Sequence, residues 1–350
     1  MHFCHSVCIK WHMRIAIVGA TGYAGSELLR LAGAHDDLDV VLATGESNAG
    51  KLVADHVPAL AALYPSMTFA TTSAIGDTDL DAVFVALPHG HSQRLVPELL
   101  RRGLQVVDLG GDFRLRTPDE YSTWYGATHE APELLGIAVY GLVERHRKQL
   151  SGANFICAPG CYPTASALAL GPFLDRGLVE KTGIVVNALS GVSGAGRGAS
   201  DRLHYARLAS NAEAYGLLEH RHTPEIQHEI DAELLFTPHL ISVARGMLVT
   251  AYARTTSATF STDDALDVLR ETYADDPFVV VTNEPPTLKD PVGSNLCFVS
   301  ARVDARTGWV VALSSLDNLI KGAAGQAIQA WNVATGRDET KGLPLSGVTP

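Results

Sequence analysis

The segment Arg14-Ile15-Ala16-Ile17-Val18-Gly19-Ala20-Thr21-Gly22-Tyr23-Ala24-Gly25 sets the architecture of the first half of the chain. Its apolar run ends at Gly19 and predicts a short buried strand. Ser26-Glu27-Leu28-Leu29-Arg30-Leu31 has helical spacing, so the glycines at 19, 22 and 25 fall in a turn from strand to helix. Backbone without Cβ atoms lets a pyrophosphate approach, and the unpaired N–H groups and dipole of the helix start favour its charge. Glycine-rich turns are common, but one that follows a strand and opens a domain is the context expected for a dinucleotide. The turn residues Gly19, Thr21, Gly22, Tyr23, Ala24 and Gly25 are therefore the cofactor candidates.

Outward from this turn the pattern repeats. Asp39–Ala43, Asp81–Pro88, Gln105–Leu109 and Asn154–Ile156 read as strands, and Gln93–Leu100 reads as a helix with Ser92 as its N-cap. Such alternation predicts an α/β domain with a Rossmann-like, doubly wound parallel sheet. An NAD enzyme would carry an acid at the end of its second strand, where this chain has Ala43-Thr44. Ser47 and Lys51 are the candidates for a 2′-phosphate, which favours NADP, whereas Glu46 pulls toward NAD. His89 and His91 lie where a cofactor would pass but read as a polar loop beside a helix start.

Cys157-Ala158-Pro159-Gly160-Cys161-Tyr162-Pro163-Thr164 is the second informative stretch. It places Cys161 between a strand and a helix that begins near Pro163, whose missing N–H costs nothing in a first turn. Helix N–H groups facing a thiol predict a lowered pKa and hence a nucleophile. Beyond it, Gly183–Leu189 reads as a strand and Ser190–Gly198 as a glycine-serine loop presenting donors to an anion, with Ser190, Gly191 and Arg197 as substrate candidates. His222 and Glu225 lie three residues apart at a helix start, a spacing that would let the carboxylate orient the imidazole. The segments 238–254, 278–282, 295–304 and 309–316 read as strands, with Arg306-Thr307-Gly308 as a hairpin turn. They predict an α+β catalytic domain with a mixed, largely antiparallel sheet whose open face supports dimerisation.

At 350 residues, 46% hydrophobic and 19% charged, the chain has the composition of a globular protein of about two domains. A net charge of −11 without a basic tract argues against nucleic acid or an anionic membrane as partner, and no apolar run is long enough to span a bilayer. Five scattered cysteines argue against a disulfide framework and for a cytoplasmic location. His2, Cys4, His5, Cys8 and His12 lack the paired spacing of a zinc module; residues 1–12 read as a disordered extension ahead of Met13, and no metal is expected.

Four segments, in order, resemble N-acetyl-γ-glutamyl-phosphate reductases, relatives of aspartate-semialdehyde dehydrogenase: Gly19–Gly25, the Pro-Gly-Cys-Tyr-Pro-Thr stretch, His220-Arg221-His222-Thr223-Pro224-Glu225-Ile226, and Asn318–Ala327. The resemblance runs from Met13 onward. It implies NADPH-dependent reduction of N-acetyl-γ-glutamyl phosphate, a small-molecule acyl phosphate, to N-acetylglutamate 5-semialdehyde and phosphate in arginine biosynthesis. The reaction would pass through a thioester on Cys161, with His222 rather than His204, His220 or His239 as the acid-base group. It further implies that Arg114 of the Asp-Phe-Arg segment reaches the substrate, that Asn318 lies near the nicotinamide, and that residues 317–350 return to the 13–158 cofactor domain. The catalytic and dimerisation domain would then be 159–316, in a homodimer or homotetramer. Aspartate-semialdehyde dehydrogenase and a non-catalytic dinucleotide-binding sensor are the alternatives.

Overall fold

The computed structural model describes residues 12–348; the expected extension, with His2, Cys4, His5 and Cys8, otherwise lies outside the described residues. The first half runs β1 (Met13–Val18), α1 (Tyr23–Ala32), β2 (Leu38–Ala43), α2 (Val53–His56), β3 (Ala82–Val85), α3 (Ser92–Arg101), β4 (Gln105–Asp108), α4 (Pro118–Tyr125), β5 (Val139–Tyr140), α5 (Val143–Leu150) and β6 (Phe155–Cys157). The strands form one sheet in the order β2-β1-β3-β4-β6-β5, all parallel. Helices cover both faces of such a sheet, which is why Ile15 to Val18 and Ala82 to Val85 are apolar and fully buried on both sides. Strand order reverses between β1 and β3, and the crevice at the carboxyl ends of these two strands is where an open α/β sheet takes its ligand.

Four elements of this half, α2, α4, β5 and α5, are additions to the predicted pattern. β5 has two residues, too few for periodicity. α4, by contrast, carries legible signals: Thr117 accepts the Glu120 N–H, Pro118 occupies the first turn, and Gly126 ends the helix at φ 69°.

The second half runs α6 (Cys161–Asp175), β7 (Ile184–Gly191), α7 (Tyr205–Leu208), β8 (Ala212–Ala214), α8 (His222–Ile230), β9 (Leu234–Ile241), β10 (Met247–Arg254), α9 (Thr262–Thr272), β11 (Val279–Val281), β12 (Cys297–Asp304) and β13 (Trp309–Leu316). Its seven-stranded sheet has the order β11-β12-β13-β10-β7-β9-β8, with β11–β12 and β7–β9 parallel and the other neighbours antiparallel. The 238–254 segment is two strands, because the chain leaves the sheet after Ile241 and turns at Gly246, φ +108°. One face of the sheet packs on α6, which is apolar all round and buried along nearly its whole length. The opposite face alternates with it and is half open; there Val185, Tyr252 and Val311 stand in one cross-strand row and Leu189 and Leu248 in another.

From β13 the chain crosses back. The helix expected from Asn318 begins as a π-helical turn, Ile320–Ala324, and continues as α10 (Gly325–Ala334), which packs on the first sheet through Ala327, Ile328, Ala330 and Trp331. π-helical turns concentrate at functional sites. This one turns Gly322 against Cys161, where an added Cβ would lie 2.7 Å from the Cys161 Cβ, and buries Lys321 in an ion pair with Glu144, 2.5 Å apart with both side chains fully enclosed.

Candidate active site

Only Ala158-Pro159-Gly160 separate β6 of the first sheet from α6, which belongs to the second. Cys161 is the first residue of α6, so its thiol stands where the two halves meet. The expected lowering of its pKa is not what the site produces. Burial pushes the thiol up to about 11, and the Tyr162 N–H and Arg114 offset this only in part. His222 is likewise held neutral: burial, His220, Arg114 and Arg221 drive its pKa well below the usual imidazole value. The resting pair is therefore thiol and neutral imidazole, so Cys161 would need a base to act as a nucleophile. Alkylation of Cys161 by iodoacetamide is expected to rise about tenfold per pH unit from pH 6 to 9; a plateau near neutrality would instead reveal a preformed thiolate.

His222 starts α8 and lies over the residue before Cys161, so close that a Cβ on Gly160 would sit 2.6 Å from Nε2. Its Nδ1 is buried with no hydrogen-bond partner among the described residues. The rings of Tyr162 and His220 flank it at 5.7 and 5.0 Å. Glu225 does not orient the imidazole as expected, since its Oε2 is 4.0 Å from Nε2. Its Oε1 instead accepts the Gly160 N–H at 2.8 Å and the Tyr140 hydroxyl at 2.7 Å. The carboxylate holds the turn before Cys161, and aromatic packing holds the His222 ring.

Arg114 lies on the floor beside them. It donates to the Leu109 carbonyl at 2.7 Å, stands 3.5 Å from both Glu225 and His222, and leaves its buried Nε without a partner among the described residues. The loop that carries it is tied down by a buried cluster in which Ser92 faces Asp108 at 3.1 Å and Asp112 at 2.8 Å. One hydroxyl proton cannot serve two carboxylates, and burial raises Asp108 to about 7.

Two clefts meet at Leu87, Leu109, Arg114, Cys161, Gly194 and His222. One, about 500 Å³, is lined by Gly19, Thr21, Gly22, Tyr23, Ala24 and Gly25 together with Glu46, Thr72, Arg197 and Asn318. Gly19 has φ +77° and abuts the Ala86 carbonyl, and a Cβ on Gly25 would lie 2.3 Å from the Gly19 carbonyl oxygen, so the tight turn admits only glycine. This cradle fits a dinucleotide pyrophosphate. Ser47 and Lys51, expected here, are exposed outside the lining, with the Lys51 ammonium turned to Asn48. Glu46 lines the cleft, but its carboxylate is engaged by the Thr72 N–H at 2.7 Å. Asn318 accepts the Gly246 N–H and donates to Ser193, each at 2.8 Å, which pins the glycine-serine loop beside the cleft.

The other cleft, about 1240 Å³, runs from Cys161 to Tyr125, Arg202, Tyr215 and Arg221. Ser190 lines it; Gly191 does not, because its Cα faces the 244–245 backbone, where a Cβ would be 2.9 Å from the Ala244 oxygen. Arg197, expected to meet substrate, lies instead over the glycine-rich turn, 3.3 Å from the Thr21 carbonyl and 2.7 Å from His56. His89, read as a polar loop residue, lines this second cleft. Tyr125, Arg202 and Tyr215 were not foreseen; the capping signals of α4 would have found the first, while the other two lie in irregular chain with no periodicity.

Comparison with known proteins agrees with this geometry. The chain matches the family model "Semialdehyde dehydrogenase, NAD binding domain" over residues 14–153 and "Semialdehyde dehydrogenase, dimerisation domain" over 161–318. It is 44% identical to an N-acetyl-gamma-glutamyl-phosphate reductase of Symbiobacterium thermophilum, covering 96% of this chain and 98% of the relative. It is 43% identical to one of Heliobacterium modesticaldum, covering 97% and 100%. Among solved structures it shares its fold with aspartate semialdehyde dehydrogenase II of Vibrio cholerae, TM-score 0.70 at 18% identity over 92% of this chain and 98% of that one. The Candida albicans aspartate semialdehyde dehydrogenase with NADP has TM-score 0.67 at 16% identity over 93% and 99%.

Proposed function

The chain belongs to the N-acetyl-γ-glutamyl-phosphate reductase family of semialdehyde dehydrogenases, and from that premise we propose that it reduces N-acetyl-γ-glutamyl phosphate to N-acetylglutamate 5-semialdehyde and phosphate, as in arginine biosynthesis. The observation that carries the reading is Cys161 at the junction of a dinucleotide cradle and a second cleft, with His222 against its turn. His222 takes the thiol proton, the Cys161 thiolate attacks the acyl carbon, and the tetrahedral adduct expels phosphate to leave a thioester on Cys161. Arg114 stabilises the departing anion. Gly19 to Gly25 and Asn318 hold the nicotinamide dinucleotide, which supplies the hydride when bound. His222 then steers the proton as the thiohemiacetal collapses, releasing the aldehyde and the Cys161 thiolate.

We assign NADPH as the reductant. With Lys51 turned away, Arg197 is the cation over the cradle and would hold the phosphate-rich end of the cofactor. Arg197→Met is expected to weaken NADPH binding roughly tenfold, the value of one charge-assisted contact, and NADH less. Titration of both cofactors by fluorescence measures this, and an equal loss for both would limit Arg197 to the shared pyrophosphate.

The half-open apolar sheet face is the surface we propose for homo-oligomerisation, as a dimer or a dimer of dimers. Tyr252→Glu would bury a charge in such an interface and is expected to shift sedimentation to the monomer; an unchanged profile would place the interface elsewhere. We place the protein in the cytoplasm, where the free thiols of Cys157, Cys161 and Cys297 stay reduced; among the described residues no helix is long and apolar enough to cross a membrane.

The decisive assay runs the reaction backward. NADPH absorbance should appear when N-acetylglutamate 5-semialdehyde, NADP and inorganic phosphate are all present, and far more slowly with aspartate semialdehyde. Preference for aspartate semialdehyde, or turnover indifferent to phosphate, would overturn the assignment.

A further inference from the structure

We propose that Arg221 is the carboxylate anchor of the substrate cleft, holding the far end of the acyl chain while Cys161 attacks the near end; this rests on the acyl-phosphate reading of the site. Three arginines line the cleft. Arg114, bonded to the Leu109 carbonyl and Glu225 on the floor beside Cys161, serves the departing phosphate at the near end. Arg202 is paired with Glu213 and lies 4.3 Å over the Tyr215 ring. Arg221 alone of the three makes no hydrogen bond or ion pair with any described residue; its guanidinium lies 5.4 Å over the Tyr125 ring. A planar fork with all its N–H groups available matches a carboxylate in bidentate fashion.

Tyr125 makes a stable platform for this arginine. Its ring stacks on Tyr121, 4.5 Å between centroids and 6° between planes, and its hydroxyl is wedged against Gly111, where a Cβ would lie 2.3 Å away. Tyr125 belongs to the first half of the molecule and Arg221 to the second, so the guanidinium is poised across the cleft mouth. Arg221 also directly precedes His222. An anion bound by Arg221 is thus in register with the base, one residue away along the chain. The lining contains one carboxylate, the exposed Glu219, against these three guanidiniums. In a chain of net charge −11 this is a local inversion of sign that selects a substrate with two anionic ends. It offers little to a free ammonium, so the amine beside the carboxylate is best acylated.

The test compares N-acetyl-γ-glutamyl phosphate with 4-acetamidobutanoyl phosphate, which lacks only the carboxylate, on the intact enzyme and on Arg221→Met and Arg221→Lys. Arg221→Met is expected to lower kcat/KM for the full substrate roughly 10- to 100-fold, mainly through KM, as for losing a hydrogen-bonded charge. The same variant should leave the truncated substrate within about twofold, because the contact it removes is one that substrate never makes. Arg221→Lys should fall between, keeping charge without the fork. Equal losses on both substrates, or an unaltered KM for the full one, would overturn the anchor. A parent enzyme inactive on N-acetyl-γ-glutamyl phosphate would instead bring down the functional reading, and the anchor with it.

Discussion

Cys161→Ser is expected to lower turnover by on the order of 10³-fold or more while leaving the fold and dinucleotide affinity intact. The hydroxyl is nearly the size of the thiol and keeps its place at the start of α6, so neither the Gly160 turn nor the close contact with Gly322 is disturbed. What is lost is nucleophilicity. A thiol raised to about 11 still ionises far more readily than an alcohol, and a neutral imidazole whose pKa is depressed takes its proton far more readily than that of a serine. Rapid quench with acyl phosphate in the absence of NADPH should trap a thioester on the parent chain and none on the variant. A variant that retains near-parental turnover would end the covalent mechanism.

His222→Asn is expected to cost roughly 10²- to 10⁴-fold in kcat, the range for a positioned acid-base group, with little change in cofactor affinity. The pH profile separates this role from a merely structural one. Because burial and the neighbouring cations depress the His222 pKa well below 6.5, the parent should keep its base neutral until the pH falls well under that value, and lose rate only there. The variant should lack that acid limb and depend on solvent hydroxide, so its rate should climb with pH through the alkaline range. An unchanged rate and profile would move the role to His220, whose ring centroid is 5.0 Å from that of His222.

Glu225 shows why its spacing from His222 misled. Three residues apart on a helix do share a face, yet a buried carboxylate goes to the donors that most need it, and the Gly160 N–H at the start of α6 and the Tyr140 hydroxyl compete successfully with a neutral imidazole. Both partners are distant in sequence, one of them on a two-residue strand that has no pattern of its own. Lys51 illustrates the same limit, since a cation in a loop is counted from the sequence but its direction is set by local bonds, here to Asn48.

The main strands of both sheets, the glycine-rich turn and the placing of Cys161 at a helix start were legible in the sequence, because they rest on periodicity, on backbone freedom at glycine and on turn chemistry, which act over a few residues; His222 was singled out by resemblance to a family and not by local pattern. Which ionisable group faces which was decided only by the tertiary structure. The thiol's raised pKa, the diversion of Glu225 to the nucleophile's turn, the placing of Arg197 over the cofactor cradle and of Arg221 across the substrate cleft all depend on burial and on partners from remote segments, and in a low-dielectric interior those two quantities set the sign of every electrostatic effect.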